Sequence, residues 1–88
     1  FKVMCSAEFE EFGKPHPAVF LSASNYLRIA PEECLVFEDS VNGVIAAKAA
    51  KMKCIAIPAP HDFTDQRYAI ADNRFKSLCD FIAMEKKY

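Results

Sequence analysis

Glu38 and Asp39 stand side by side at the end of an apolar run, Cys34-Leu35-Val36-Phe37, and are followed by Ser40-Val41-Asn42-Gly43 and an alanine-rich segment. Two adjacent carboxylates in that position suit a hard cation such as Mg²⁺, which takes one or two protein carboxylates and shares its site with waters and a substrate phosphate. Upstream, Gly13-Lys14-Pro15-His16-Pro17 delivers a lysine from a loop that turns at glycine and stiffens at proline. An ammonium held this way can neutralise a carboxylate or a transferring phosphoryl oxygen. Ser40, Asn42 and Gly43 open a helix, and a helix N-terminus attracts anions. Each residue also has a plainer reading. Glu38 can be a solvated loop acid and Asp39 a contributor to the helix cap. Lys14 can be a surface lysine, and capping explains Ser40 as well as phosphate binding does. His16 and His61 have no sequence neighbour that would make a metal pair or a nucleophile triad. No second acidic cluster follows an apolar strand, so the groups for covalent chemistry are expected outside these residues.

The elements that must position these groups follow from the pattern. Residues 1–6 read as a strand that opens at the first residue, which points to a truncated chain. Residues 8–17 form a loop, and Pro17 suits the first turn of a helix. Val19, Phe20, Ala23, Tyr26 and Leu27 repeat at helical spacing as far as Ile29-Ala30, before Pro31, with Ser22, Asn25 and Arg28 outward. Residues 34–37 are continuously apolar, as in a parallel strand covered on both faces. A smooth alanine-rich helix is expected from Val41 to about Lys51, and a buried strand over 54–57, ended by Pro58-Ala59-Pro60. A short helix over 65–71, an edge strand over 73–75 and a helix from Ser77 to about Lys86 complete the chain. In that last helix Leu78, Phe81 and Ile82 share one face, and Lys86 and Lys87 complement the dipole. Strand–helix alternation of this kind implies right-handed βαβ units and an α/β fold.

Composition narrows the classes. The 88 residues are 52% hydrophobic and 26% charged with a net charge of -1, which argues for one small globular unit and against nucleic-acid or anionic-membrane binding. A chain this short buries only roughly 60–65% of its unfolded surface, so its stability alone would be marginal. No apolar run is long enough to span a bilayer, and no signal peptide opens the chain. Cys5, Cys34, Cys54 and Cys79 form no Cys-x-x-Cys pair. Three of the four sit in or beside strands or on an apolar helical face and read as reduced, buried thiols, hence a cytoplasmic protein. Lys48, Lys51 and Lys53 read as a solvated helix end.

Taken together, Gly13-Lys14-Pro15, residues 31–40, Gly43 and Ala46-Ala47-Lys48-Ala49-Ala50 resemble the C-terminal part of a haloacid dehalogenase (HAD) superfamily phosphatase. The likeness is to the β-phosphoglucomutase-like branch with its sugar-phosphate phosphatases, and it runs from about Cys5 to Phe81. The resemblance implies that residues 1–88 are the C-terminal portion of a Rossmann-like HAD core, a parallel sheet with flanking helices. It implies that Lys14 is the charge-balancing lysine and that Asp39 holds Mg²⁺ with Glu38 in support; Ser40 and Asn42, at the helix N-terminus, join Lys14 as candidates to bind the phosphate. It also implies a nucleophilic aspartate, a phosphate-binding Ser or Thr and a substrate-selecting cap, none of them in this chain. The nucleophile strand and a second strand would separate 1–6 from 34–37, so the sheet is expected to lack its middle unless an N-terminal part or a partner chain supplies it. Arg28 and Lys51 stand at helix ends where relatives usually carry Gly, a change that costs of order 1 kcal/mol.

The implied activity is Mg²⁺-dependent hydrolysis of a small sugar phosphate through an aspartyl-phosphate. A phosphomutase using the same intermediate is the nearest enzymatic alternative. A non-catalytic α/β fragment or interaction module is the alternative of another class, and the 88 residues alone are expected to be inactive. A response-regulator receiver is more distant, because its lysine follows the acidic strand whereas Lys14 precedes Asp39.

Overall fold

The computed structural model describes residues 2–5 and 16–85. The Gly13-Lys14-Pro15 loop, the side chain of Cys5, and Lys86 and Lys87 lie outside the described residues. Strands β1 (Lys2–Cys5), β2 (Cys34–Glu38), β3 (Lys53–Ala56) and β4 (Asn73–Arg74) form one parallel sheet in that order. Helices α1 (Ala18–Leu27) and α2 (Val41–Ala49) fill the first two crossovers, and α3 (Leu78–Glu85) follows β4. The sheet and flanking helices give the α/β architecture expected from the alternation of elements.

One expectation about the sheet is not met. The family resemblance separates the first strand from β2 by two others, but here β1 pairs directly with β2, from Lys2↔Cys34 to Cys5↔Phe37. An open parallel edge leaves backbone N–H and C=O groups without partners. Direct pairing of β1 with β2 satisfies them within this chain.

Burial in β2 alternates instead of being complete on both faces. Cys34, Val36 and Glu38 are buried, whereas Leu35 and Phe37 are half-buried. The buried row faces α2, where Val44, Ala46, Ala47 and Ala50 join Cys54, Ala56, Met52 and Phe20 in the core. The small side chains of α2 let it lie close on the sheet, as the sequence implied. On the opposite face Phe37 meets Phe81 of α3 edge-to-face at 5.1 Å, and Phe81 meets Phe75 at 5.6 Å. Only Phe81 of the expected α3 stripe is drawn in, because Leu78 and Ile82 remain 48% and 44% exposed. In α1 likewise, Phe20 and Ser24 are buried while Tyr26 and Leu27 point outward. The Ser24 hydroxyl donates to the Leu21 carbonyl, which makes its burial tolerable.

Both helix ends marked by Arg28 and Lys51 are left-handed, with φ of 58° and 65°. In each, two backbone N–H groups turn back to helix carbonyls: Arg28 and Ile29 to Asn25 and Ser24, and Lys51 and Met52 to Lys48 and Ala47. The chain therefore keeps a glycine-type helix ending with residues that carry a Cβ. Lys48 and Lys53 are not merely solvated, since both approach Asp72, at 2.7 and 3.8 Å. Asp72 also accepts the Cys54 N–H at 2.7 Å, tying the entry of β3 to the segment before β4.

Candidate active site

Strand alternation decides how the two acids divide. Glu38 is in phase with Cys34 and Val36 and turns into the core, where it is 2% exposed. Asp39, one residue further, is exposed at the C-terminal end of the sheet. Ligands of open α/β sheets gather at that end. Glu38 is thus not a solvated loop acid. Its Oε1 accepts the N–H groups of Asp39 and Ser40, at 3.2 and 3.4 Å, and the Ser40 hydroxyl at 3.2 Å. The Ser40 Oγ in turn accepts the Gly43 N–H at 3.0 Å and caps α2. Gly43 is needed for space and not for an unusual φ: a Cβ there would overlap Cδ, Cγ and Oε1 of Glu38.

A cavity of about 640 Å³ opens over these residues, lined by Glu38, Asp39, Ser40, Val41 and Asn42 on one side. Ala59, Asp62, Asp65, Arg67 and Tyr68 line the other. Asn42 is exposed in the first turn of α2. Sequence reasoning passed over the second wall, which lies in segments with no clear periodicity. Asp65 caps the short 3-10 helix Gln66–Ile70 by accepting the Arg67 N–H, and Arg67 also grips its carboxylate at 2.6 Å. Hydrogen bonds from Arg67 hold the Asp65 pKa down to about 2. Tyr68 is buried, and its hydroxyl donates to the Asp39 carbonyl at 2.6 Å. Burial and the carboxylates of Asp62, Asp39 and Asp65 push the Tyr68 pKa up, so it stays a neutral donor.

The structure therefore gathers Glu38, Asp39, Ser40 and Asn42 at one cavity, while Lys14 lies outside the described residues. The histidines take no such place: the His16 Nδ1 accepts the Ala18 N–H at 3.1 Å, and His61 is an exposed neighbour of Asp62. Among the described residues no group of three His, Cys, Asp or Glu could enclose a metal. That excludes a closed tetrahedral site built from them alone. It fits Mg²⁺, which needs one or two carboxylates if water and phosphate oxygens fill the remaining positions. Asp39 presents the outward carboxylate of the pair, and Glu38 stands behind it with Oε1 accepting backbone N–H groups.

Comparison with known proteins gives a concordant picture. Residues 1–51 match the haloacid dehalogenase-like hydrolase family. Hexitol phosphatase B of Escherichia coli (strain K12) is 42% identical over 85 residues, which cover 97% of this chain and 38% of that protein. A HAD family hydrolase from Deinococcus radiodurans R1, with bound phosphate and sodium, superimposes with a TM-score of 0.72 at 28% identity, covering 93% of this chain and 39% of the other. The β-phosphoglucomutase of Clostridium difficile gives a TM-score of 0.67 at 26% identity, covering 85% and 32%. The chain thus spans less than two fifths of the length of each of these proteins.

Proposed function

From the premise that this chain belongs to the haloacid dehalogenase-like hydrolase family, we propose that it is the C-terminal part of the core domain of a Mg²⁺-dependent phosphatase of small sugar phosphates. The observation that carries the reading is the position of Asp39: exposed on the cavity wall at the C-terminal end of a parallel strand, beside the N-terminus of α2. The likeness to hexitol phosphatase B supports a phosphorylated sugar or sugar alcohol as substrate.

In this reading Asp39 holds Mg²⁺, and Glu38 fixes the backbone that presents it. The bound ion supplies positive charge beside the phosphoryl group. Lys14 offsets the charge of the phosphate and of the nucleophile. Asn42 and the first turn of α2 face the phosphate oxygens, with Ser40 on the same wall. The nucleophile is an aspartate outside the 88 residues, which attacks phosphorus, expels the sugar hydroxyl and forms an aspartyl-phosphate that water then hydrolyses. The 88-residue chain alone is accordingly inactive, and another part of the protein or a partner chain completes the site. No described helix is long and apolar enough to cross a membrane. Two buried free thiols, Cys34 and Cys54, suit a reducing compartment, the cytoplasm.

The test is Asp39→Asn in the full-length protein that contains this chain, assayed for phosphate release from hexitol phosphates against Mg²⁺ concentration. The expected result is weakened Mg²⁺ dependence and a loss of at least about a hundredfold in kcat. Mg²⁺-dependent turnover equal to that of the unmodified protein would refute the role given to Asp39.

A further inference from the structure

We propose that Tyr68 is a positioning residue for the metal-binding carboxylate, acting through the main chain of Asp39. The inference rests on the reading of Asp39 as the magnesium ligand. Glu38 is the last residue of β2, paired with Ala56, and its carbonyl accepts the Ile57 N–H. Asp39 lies one residue beyond this last ladder pair, where the ladder with β3 no longer holds its backbone. Two side chains take over. The Asp39 N–H donates to Glu38 Oε1 at 3.2 Å, and the Asp39 carbonyl accepts the Tyr68 hydroxyl at 2.6 Å. The peptide groups on both sides of the Asp39 Cα are thereby held, and its carboxylate leaves from a fixed point on the cavity wall.

Tyr68 is itself well anchored. It is 3% exposed and its ring belongs to the core with Val44 and Ala56. Arg74 of β4 stacks over the ring at 5.6 Å from its centroid and over Phe63 at 5.9 Å, and donates to the Phe63 carbonyl. The path from sheet to site runs from Arg74 through Tyr68 to Asp39, joining residues 29 positions apart at the last step. A phenylalanine would fill the same core volume without the hydroxyl, so the hydroxyl alone can be tested. Magnesium tolerates little departure from octahedral geometry. A loosened Asp39 should therefore bind it less well before it affects the chemical step.

The experiment uses the full-length protein with Mg²⁺ itself as probe, followed by isothermal titration calorimetry and by the Mg²⁺ dependence of turnover. Tyr68→Phe should weaken Mg²⁺ binding by about three- to tenfold, the range expected for loss of one hydrogen bond. Its kcat at saturating Mg²⁺ should stay within about twofold of the unmodified value, since the missing tether is offset by excess ion. Tyr26→Phe, at a residue 86% exposed, should change neither quantity. Unaltered Mg²⁺ affinity in Tyr68→Phe overturns the proposal, and so does loss of the fold, which would make the hydroxyl a folding group. Asp39→Asn separates the two levels of argument. If it abolishes Mg²⁺ binding while Tyr68→Phe does not alter it, only the role of Tyr68 falls. If Asp39→Asn also leaves binding intact, the reading of the metal site falls with it.

Discussion

Gly43→Ala tests the packing that separates the two acids. Gly43 is the third residue of α2 and is buried, and a methyl group there would overlap Cδ, Cγ and Oε1 of Glu38. The helix itself would welcome alanine, by about 1 kcal/mol. Glu38 would have to move, yet it is 2% exposed and its Oε1 accepts from Asp39, Ser40 and the Ser40 hydroxyl. Hydrogen bonds to a charged group contribute about 1.5–3 kcal/mol each. These run from 3.2 to 3.4 Å, at the long end, so losing two of them costs about 3 kcal/mol. The net expectation is destabilisation by about 2 kcal/mol after the helix gain. In a Glu38→Ala background the obstacle is gone, and Gly43→Ala should instead stabilise by about 0.5–1 kcal/mol. Urea unfolding of the four proteins, followed by far-ultraviolet circular dichroism, gives the coupling of the pair, expected at about 3 kcal/mol. An equal effect of Gly43→Ala in both backgrounds would refute the packing argument.

Asp72 offers a second test, through pH. Burial pushes its pKa up, but the bonds from Lys48 and the Cys54 N–H outweigh that and leave it lowered. A carboxyl whose folded pKa lies below its unfolded value of 3.8 stabilises the fold above that value, and the contribution fades as pH falls through the folded pKa. Asp72→Asn should therefore flatten the decline in urea midpoint between about pH 5 and pH 2, and an unchanged decline would count against the Asp72 cross-link. Thiol reactivity gives a third: brief iodoacetamide treatment at mildly alkaline pH should alkylate exposed Cys79 and spare buried Cys34 and Cys54. Burial pushes the Cys54 thiol up to about 12, so peptide mass spectrometry finding Cys54 modified as fast as Cys79 in the native protein would contradict its burial.

The order of elements was legible because each carries a local signal. Helix boundaries fell within a few residues of Pro17, Pro31 and Ser40, and β2 and β3 within one residue of their apolar runs. Which face each helix buries was harder to read. Tyr26, Leu27, Leu78 and Ile82 sit at helical spacing yet stay outside, because periodicity gives a stripe and only tertiary contacts decide how much of it is covered. The expected 65–71 helix became a 3-10 turn over Gln66–Ile70, its first turn set by Asp65, whose carboxylate takes the Arg67 N–H and side chain. The second cavity wall escaped notice for the same reason. Tyr68 owes its position to non-local contacts, the core around Val44 and Ala56 and the hydrogen bond to Asp39, which no short window of sequence contains.

The acidic pair shows how a spacing argument can single out two residues and miss how they differ. Sequence alone treats Glu38 and Asp39 as two neighbouring oxygen donors. A strand, however, sends consecutive side chains to opposite faces. If Asp39 is to face the cavity, Glu38 must enter the core, and a buried carboxylate is stable there only with donors around it. Those donors are the first N–H groups beyond the strand and the hydroxyl that caps α2, and the room for the side chain comes from the missing Cβ of Gly43. Glu38, Ser40 and Gly43 thus form one unit, each explaining why the others have their residue types. The unit joins the strand end to the helix start with little slack, and Tyr68 closes it from the far side by holding the Asp39 carbonyl. The rigidity lies in Glu38 and the residues around it, while the exposed charge lies in Asp39.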